Sequence, residues 1–212
     1  MAIHLPLSRL SQWQQVTFCA ALLERMLPNY QMFARAVEFG DAALLRNQLD
    51  LLWQWLDKNN RTKINFEAQL NKLEAATPNP ELFDTYGVFP ALDVCMALMS
   101  VFQGIQDKNS ADFASVGRLS ANSVYGYVEL LLLEERAEER AEESTGDSAE
   151  PNDEALDIAP DVLEQHPLVQ WEVATQNELF DFLKNAPENK KTCEQAKEMV
   201  MEEGLSNLGI EV

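Results

Sequence analysis

The sequence predicts an all-α protein, a single domain over residues 1–212 built as a bundle of about seven or eight helices. Along most of the chain, apolar residues recur every three or four positions, which is the spacing of one helix face. Serine, aspartate and asparagine residues stand just before several of these runs, where their side chains can cap a helix. Weak strand signals are confined to residues 3–5 and the C-terminal tail.

The first helix begins at Ser8 or Ser11, either of which can act as its cap, and runs to about Leu27. Its second half is apolar almost all round, which predicts burial between other helices. Pro28 lacks a backbone N–H, so we expect it to stop this helix or to start the next one, over residues 29–39.

Two more helices follow, with Asp41 and Asn65 as their caps, and then a central apolar helix near residues 90–107. The central helix has almost no polar face, which is typical of a core helix. Pro90 suits the first position of this helix. Asp93 would then lie in the first turn, where a carboxylate interacts favourably with the helix dipole.

The C-terminal half begins with a long helix from Ser110 or Asp112 to about Glu143. Residues 144–160 have the composition of an acidic flexible linker or loop within the domain. Residues 167–205 predict two helices, too small to bury a core alone and therefore docked on the main bundle.

The charge of the chain is strongly negative and unevenly distributed. The formal net charge is −19, of which residues 134–164 contribute −11. Such a field repels phosphate backbones and anionic lipid surfaces, which argues against nucleic acid and membrane as partners. The first residues show no signal-peptide pattern, and the apolar stretch around 94–102 is too short to span a bilayer. A cytoplasmic protein is expected.

A search for chemistry identifies no catalytic residue, no metal site and no cofactor. The chain has two histidines and three cysteines, without a C-x-x-C pair, a zinc or calcium motif, a phosphate loop or a G-x-S-x-G turn. Whether the protein is an enzyme stays open, and the absence of these motifs leans against it.

Five polar residues stand in otherwise apolar surroundings and are the candidates for a ligand-binding pocket: Tyr86, Asp93, Glu24, Arg25 and Tyr30. The structural alternative is that Asp93 only interacts with its helix dipole, that Arg25 does so near the end of its own helix, and that Glu24 forms an ion pair with Arg35 or with a neighbour of Arg25. Under that alternative, the residues after Pro28 only shape a turn.

Five stretches carry a family resemblance: WQQVTF (13–18), ERMLPNYQMF (24–33), FGD (39–41), DTYGVFPALDVC (84–95) and SNLGI (206–210). In this order they resemble the YjaG-like family of bacterial proteins, a family of unknown function. The resemblance implies a small helical cytoplasmic protein. It implies no reaction and transfers no catalytic residue. The acidic stretch from 134 to 163 departs from the pattern.

Three functions remain in competition. The leading hypothesis is a non-enzymatic interaction or structural protein, with a homodimer as one form of it, because catalytic motifs are missing and the apolar helix faces are broad. The alternative is a small-molecule-binding protein or enzyme with a pocket near Tyr86 and Asp93. A third possibility gives the acidic segment a regulatory or nucleic-acid-mimicking role.

Overall fold

A computed structural model describes residues 5–60, 62–143 and 158–212, without the side chains of residues 142 and 143. These ranges form a single all-α domain, which confirms the predicted fold class. The helices are α1 (Gln12–Val37), α2 (Ala42–Leu56), α3 (Phe66–Ala76), α4 (Val88–Asp107), α5 (Ser110–Glu143), α6 (Pro160–Gln165), α7 (Pro167–Asn185) and α8 (Lys190–Met201), with 3-10 turns at Leu7–Arg9 and Pro80–Leu82.

The helix α1 runs straight through Pro28, so the predicted break there is wrong. Burial explains the difference, because 17 of the 26 residues of α1 are buried and packing outweighs the lost backbone hydrogen bond. Pro28 cannot donate to the carbonyl oxygen of Glu24, four residues earlier in the helix. One residue further on, the carbonyl oxygen of Arg25 accepts a hydrogen bond from the backbone N–H of Asn207 at 3.1 Å, and this part of α1 is the docking point of the C-terminal segment.

The caps of α1, α2 and α3 agree with the local sequence. Ser11 and Gln14 form a reciprocal capping box, and Asp41 and Asn65 accept hydrogen bonds from the third residue of their helices. Gly40 has a φ of +78°, and a β-carbon there would overlap the Tyr30 hydroxyl. Only glycine fits this turn without strain.

The apolar helix α4 is central, as predicted, and packs against α1, α3 and α5. It begins at Val88, so Pro90 is its third residue and Asp93 its sixth, beyond the first turn. In the part of the chain that the structure describes, α4 alone is long and apolar enough to cross a bilayer, and its most apolar window is 61% buried inside the protein. Burial of this kind is what a core helix shows.

The C-terminal helices pack on the first half of the chain. The helix α8 contacts α1, and α7 lies against α5 and α1. The short helix α6 was not predicted. It occupies the end of the predicted linker 144–160, of which residues 144–157 lie outside the described residues. The tail forms one antiparallel bridge between Leu205 and Glu211.

Two apolar clusters hold these helices together. The larger cluster joins residues of α1, α2, α4, α5, α7 and α8. The smaller one consists of Val124, Val128, Val169 and Leu208, with Tyr127 and Ile210 packed against it. This second cluster lies under the C-terminal segment and positions one wall of the cavity described next.

Candidate functional site

Parts of the two stretches 24–30 and 84–93 border one cavity of about 190 Å³, which Asn29 reaches from the first stretch and Tyr86 from the second. Its wall is built from the second half of α1, the start of α4, one position of α5 and the C-terminal segment. The lining residues are Asn29, Met32, Phe33, Ala36, Thr85, Tyr86, Gly87, Pro90, Tyr127, Leu208 and Ile210. Nine of these eleven belong to three of the stretches that carry the family resemblance, and only Ala36 and Tyr127 lie outside them.

Tyr86 is held against α5 by a close approach that requires glycine. A β-carbon at Gly126 would lie 2.8 Å from the Tyr86 hydroxyl oxygen. In the space that glycine leaves, this hydroxyl donates a hydrogen bond to the carbonyl oxygen of Ser123, at 3.4 Å. The Tyr86 ring lies 6.1 Å from that of Tyr127, centroid to centroid. Burial and then the charges of Asp93 and Glu129 raise the pKa of Tyr86 to about 12.

Asp93 lies beside this wall without lining the cavity. Its Oδ2 accepts a hydrogen bond from the Ser123 hydroxyl at 2.6 Å. The interpretation as a first-turn cap does not apply, because the residue is one turn too far into α4. Burial raises the pKa of Asp93 to about 6, although the bond from Ser123 opposes the change. Near neutral pH the group is therefore ionised and close to its titration range.

A chain of amide hydrogen bonds connects the opposite wall to the core. The Asn207 amide nitrogen donates to the carbonyl and hydroxyl oxygens of Ser120, at 3.3 and 3.2 Å. Its amide oxygen therefore faces Asn29 and accepts from Asn29 Nδ2 at 2.7 Å. This hydrogen bond determines the orientation of the Asn29 amide, whose nitrogen points to Asn207. The Oδ1 atom of Asn29 is buried and accepts no hydrogen bond from any described residue.

Arg25 is fully buried and does not line the cavity. Its Nη1 contacts Glu172 Oε2 at 2.8 Å, and its guanidinium stacks 4.0 Å from the Trp171 ring centroid. Glu172 also accepts hydrogen bonds from Ser120 Oγ and Gln176 Nε2. Burial lowers the pKa of Arg25, and Glu172 offsets part of that effect. This ion pair joins α1 to α7 and was not predicted from the sequence.

Glu24 and Tyr30 also lie away from the cavity lining. Glu24 accepts hydrogen bonds from both terminal nitrogens of Arg46 and from the Trp53 indole, and contacts Lys197 at 2.9 Å. Burial alone would raise the pKa of Glu24, but Arg46 and Lys197 bring it below its ordinary value. Trp53 and Lys197 line a separate cleft of about 350 Å³.

The hydroxyl group of Tyr30 makes hydrogen bonds to the backbone that support the fold. Its hydroxyl donates to the carbonyl oxygen of Ala76 at 2.8 Å and accepts from the Asp41 N–H at 3.3 Å. Of the five predicted site residues, the structure therefore brings Tyr86 into the cavity lining and Asp93 next to it. Ligand binding by any of the five stays a prediction.

The sequence analysis missed four residues that define the site: Asn29, Tyr127, Gly126 and Asn207. Asn29 stands four positions after Arg25, so both side chains share one face of α1, but the predicted break at Pro28 hid that relation. Asn207 lies within the SNLGI stretch near the C-terminus, and the sequence around it does not indicate which residues its amide contacts. No local pattern pairs it with Asn29.

A family model described as "Protein of unknown function (DUF416)" matches residues 2–211 of this chain. The chain belongs to this family. The resemblance seen in the five stretches is confirmed, since relatives of this chain include proteins named YjaG. The YjaG protein of Escherichia coli K12 is 34% identical over 209 residues, and that of Salmonella typhimurium LT2 is 35% identical, each covering 98% of this chain and 95% of the relative.

Further relatives support the same assignment. An uncharacterised protein of Haemophilus influenzae is 32% identical over 213 residues and covers 99% of this chain and 96% of its own length. The crystal structure of a DUF416 protein from Shewanella baltica superposes with a TM-score of 0.78 at 33% identity, covering 99% of this chain and all of that one. The DUF416 fold thus extends over the whole chain.

The substitution Glu172→Gln tests the buried ion pair. It removes the charge that balances Arg25, so we expect the free energy of unfolding to fall by about 3–5 kcal/mol, because an uncompensated buried charge is strongly destabilising. Urea denaturation followed by circular dichroism measures this. The control is Asp181→Asn, which breaks the exposed pair with Lys184 and should cost less than about 1 kcal/mol. Equal losses in the two variants would contradict the role of the pair.

Asp93→Asn tests the raised pKa of this carboxyl group. Between the ordinary value of 3.8 and about 6, the folded protein keeps a proton that the unfolded chain has released. Ionisation of Asp93 therefore lowers stability as the pH rises through that window. We expect the stability gained by Asp93→Asn to grow by on the order of 1 kcal/mol between pH 5 and pH 7.5. Asp84→Asn, at an exposed carboxylate, is the control. A pH-independent difference for Asp93→Asn would refute the expectation.

Proposed function

We propose that this protein binds a small molecule in the cavity between Asn29 and Tyr86. The observation that carries the proposal is the convergence of the second half of α1, the start of α4 and the C-terminal segment on one cavity. Concave sites with mostly apolar walls and a few placed polar groups are typical of ligand-binding sites. This cavity fits the description, with Phe33, Leu208 and Ile210 as apolar wall and Asn29 and Tyr86 as polar groups.

The chemistry of the lining favours binding over catalysis. The residues that line the cavity include no cysteine, histidine or carboxylate. Burial raises the pKa of the Cys95 thiol to about 12, which leaves this nearby thiol unreactive. His166 has a structural contact, because its Nδ1 atom accepts a hydrogen bond from the backbone N–H of Leu168 at the start of α7.

Ala36→Trp tests the proposal because Ala36 is exposed at the edge of the cavity, where a large side chain can block it without entering the core. Saturation-transfer NMR against a library of small fragments identifies ligands of the native protein. We expect Ala36→Trp to weaken their binding at least tenfold.

The matched control is Ala174→Trp, at an exposed position of α7, which should leave fragment binding unchanged. Circular dichroism verifies that both variants fold. The proposal fails if no fragment binds the native protein, or if the fragments bind Ala36→Trp as well as they bind the native chain.

Self-association is a second candidate function, favoured by the outer stripe of α4. Phe89 and Met96 lie seven residues apart on one face of this helix and are 52% and 43% exposed. Large apolar side chains exposed together often mark a contact surface, and a twofold contact between like surfaces is the commonest form of homo-oligomer.

Sedimentation equilibrium of the native chain and of the double variant Phe89→Ser/Met96→Ser tests this candidate. We expect the native chain to form dimers at micromolar concentrations and the variant to be monomeric. Leu82→Ser, at a residue 72% exposed outside α4, is the control and should dimerise like the native chain. A native chain that stays monomeric at all concentrations would exclude this contact.

A further inference from the structure

The cavity is small, which limits what it can hold. Its volume of about 190 Å³ lies below the roughly 300–1,000 Å³ of pockets for drug-sized ligands. An engineered apolar cavity of about 150 Å³ in another protein holds benzene. One ring with a short substituent therefore fits, and a nucleotide or a second ring system does not.

The cavity lining is rich in aromatic rings, since Tyr86, Tyr127 and Phe33 all belong to it. Aromatic faces carry partial negative charge and attract cations, which is how aromatic cages bind ammonium groups. No lysine or arginine lines the cavity to compete for those faces.

The electrostatic surroundings favour positive charge. The carboxylate of Asp93 lies beside the Tyr86 wall, bonded to Ser123, and Glu129 stands on the same helix as Tyr127. Both carboxylates act on the Tyr86 hydroxyl and help to raise its pKa. The chain as a whole carries −19, which further concentrates cations at its surface.

We infer that the ligand is a compact organic amine, bound as its ammonium ion with a single ring or a similarly small apolar body. The inference rests on the proposed function and narrows it to one chemical class. The ammonium group would lie against the tyrosine rings, while the apolar body would contact Phe33, Leu208 and Ile210.

Three probes of nearly equal size test the class: benzylamine, benzyl alcohol and benzoate. NMR titration at pH 7.5 gives a Kd for each with the native chain. We expect benzylamine to bind at least tenfold more tightly than benzyl alcohol and benzoate to bind more weakly than both. The substitution Ala36→Trp should abolish the binding of all three probes.

Asp93→Asn is the second arm, because it removes the nearby negative charge while keeping an acceptor for Ser123. We expect Asp93→Asn to raise the Kd of benzylamine at least fivefold and to change the Kd of benzyl alcohol less than twofold. Equal binding of the three probes, or tighter binding of the alcohol or the acid, overturns the amine assignment and leaves the small-molecule function intact. Failure of the small-molecule function itself gives a different result. In that case no fragment binds the native protein, or the fragments bind Ala36→Trp as well as they bind the native protein.

A tripeptide with a central lysine distinguishes a free amine from one presented by another protein. We expect it to bind more weakly than benzylamine, because its flanking backbone does not fit the small cavity. Tighter binding of the tripeptide would overturn the assignment to a free small molecule.

Discussion

The hydrogen bond from Asn207 to the carbonyl oxygen of Arg25 fastens the end of the described chain to the middle of α1. It forms close to Pro28, at the carbonyl next to that of Glu24, which the proline leaves without its helical donor. The Asn207 side chain adds bonds to Asn29 and Ser120, which brings α5 into the same junction. Leu208 and Ile210 reach the cavity because the residue before them is held in this way.

A second constraint acts through the side chain of the same residue, Arg25. Arg25 and Glu172 place opposite charges in the core, where each would be costly alone, and so fix how α7 meets α1. Ser120 joins both constraints, since its hydroxyl donates to Glu172 and accepts from Asn207. The two junctions are therefore one polar network, running from the α7 interface to the wall of the cavity. A disturbance at either end changes the hydrogen bonds available at the other.

Local chemistry determines how much of this fold can be predicted from the sequence. The starts of α2, α3 and α7 follow from Asp41, Asn65 and Pro167, because a cap or a proline acts on its own neighbours. The path of α1 through Pro28 depends on burial by distant helices, which no window of sequence contains. Tyr86 and Asp93 could be proposed as site residues because they are polar residues among apolar neighbours in the sequence. Asn29 could not be proposed in this way. Its significance comes from Asn207, 178 positions away.

Gly126 shows how a single position can govern the shape of a wall without changing the fold. Because a β-carbon is missing there, the Tyr86 hydroxyl can rest against α5. A side chain at 126 would push that hydroxyl away, and the ring can move while both helices keep their backbone paths. Within a lineage, the shape of the cavity can therefore change through one codon while the bundle itself stays unchanged.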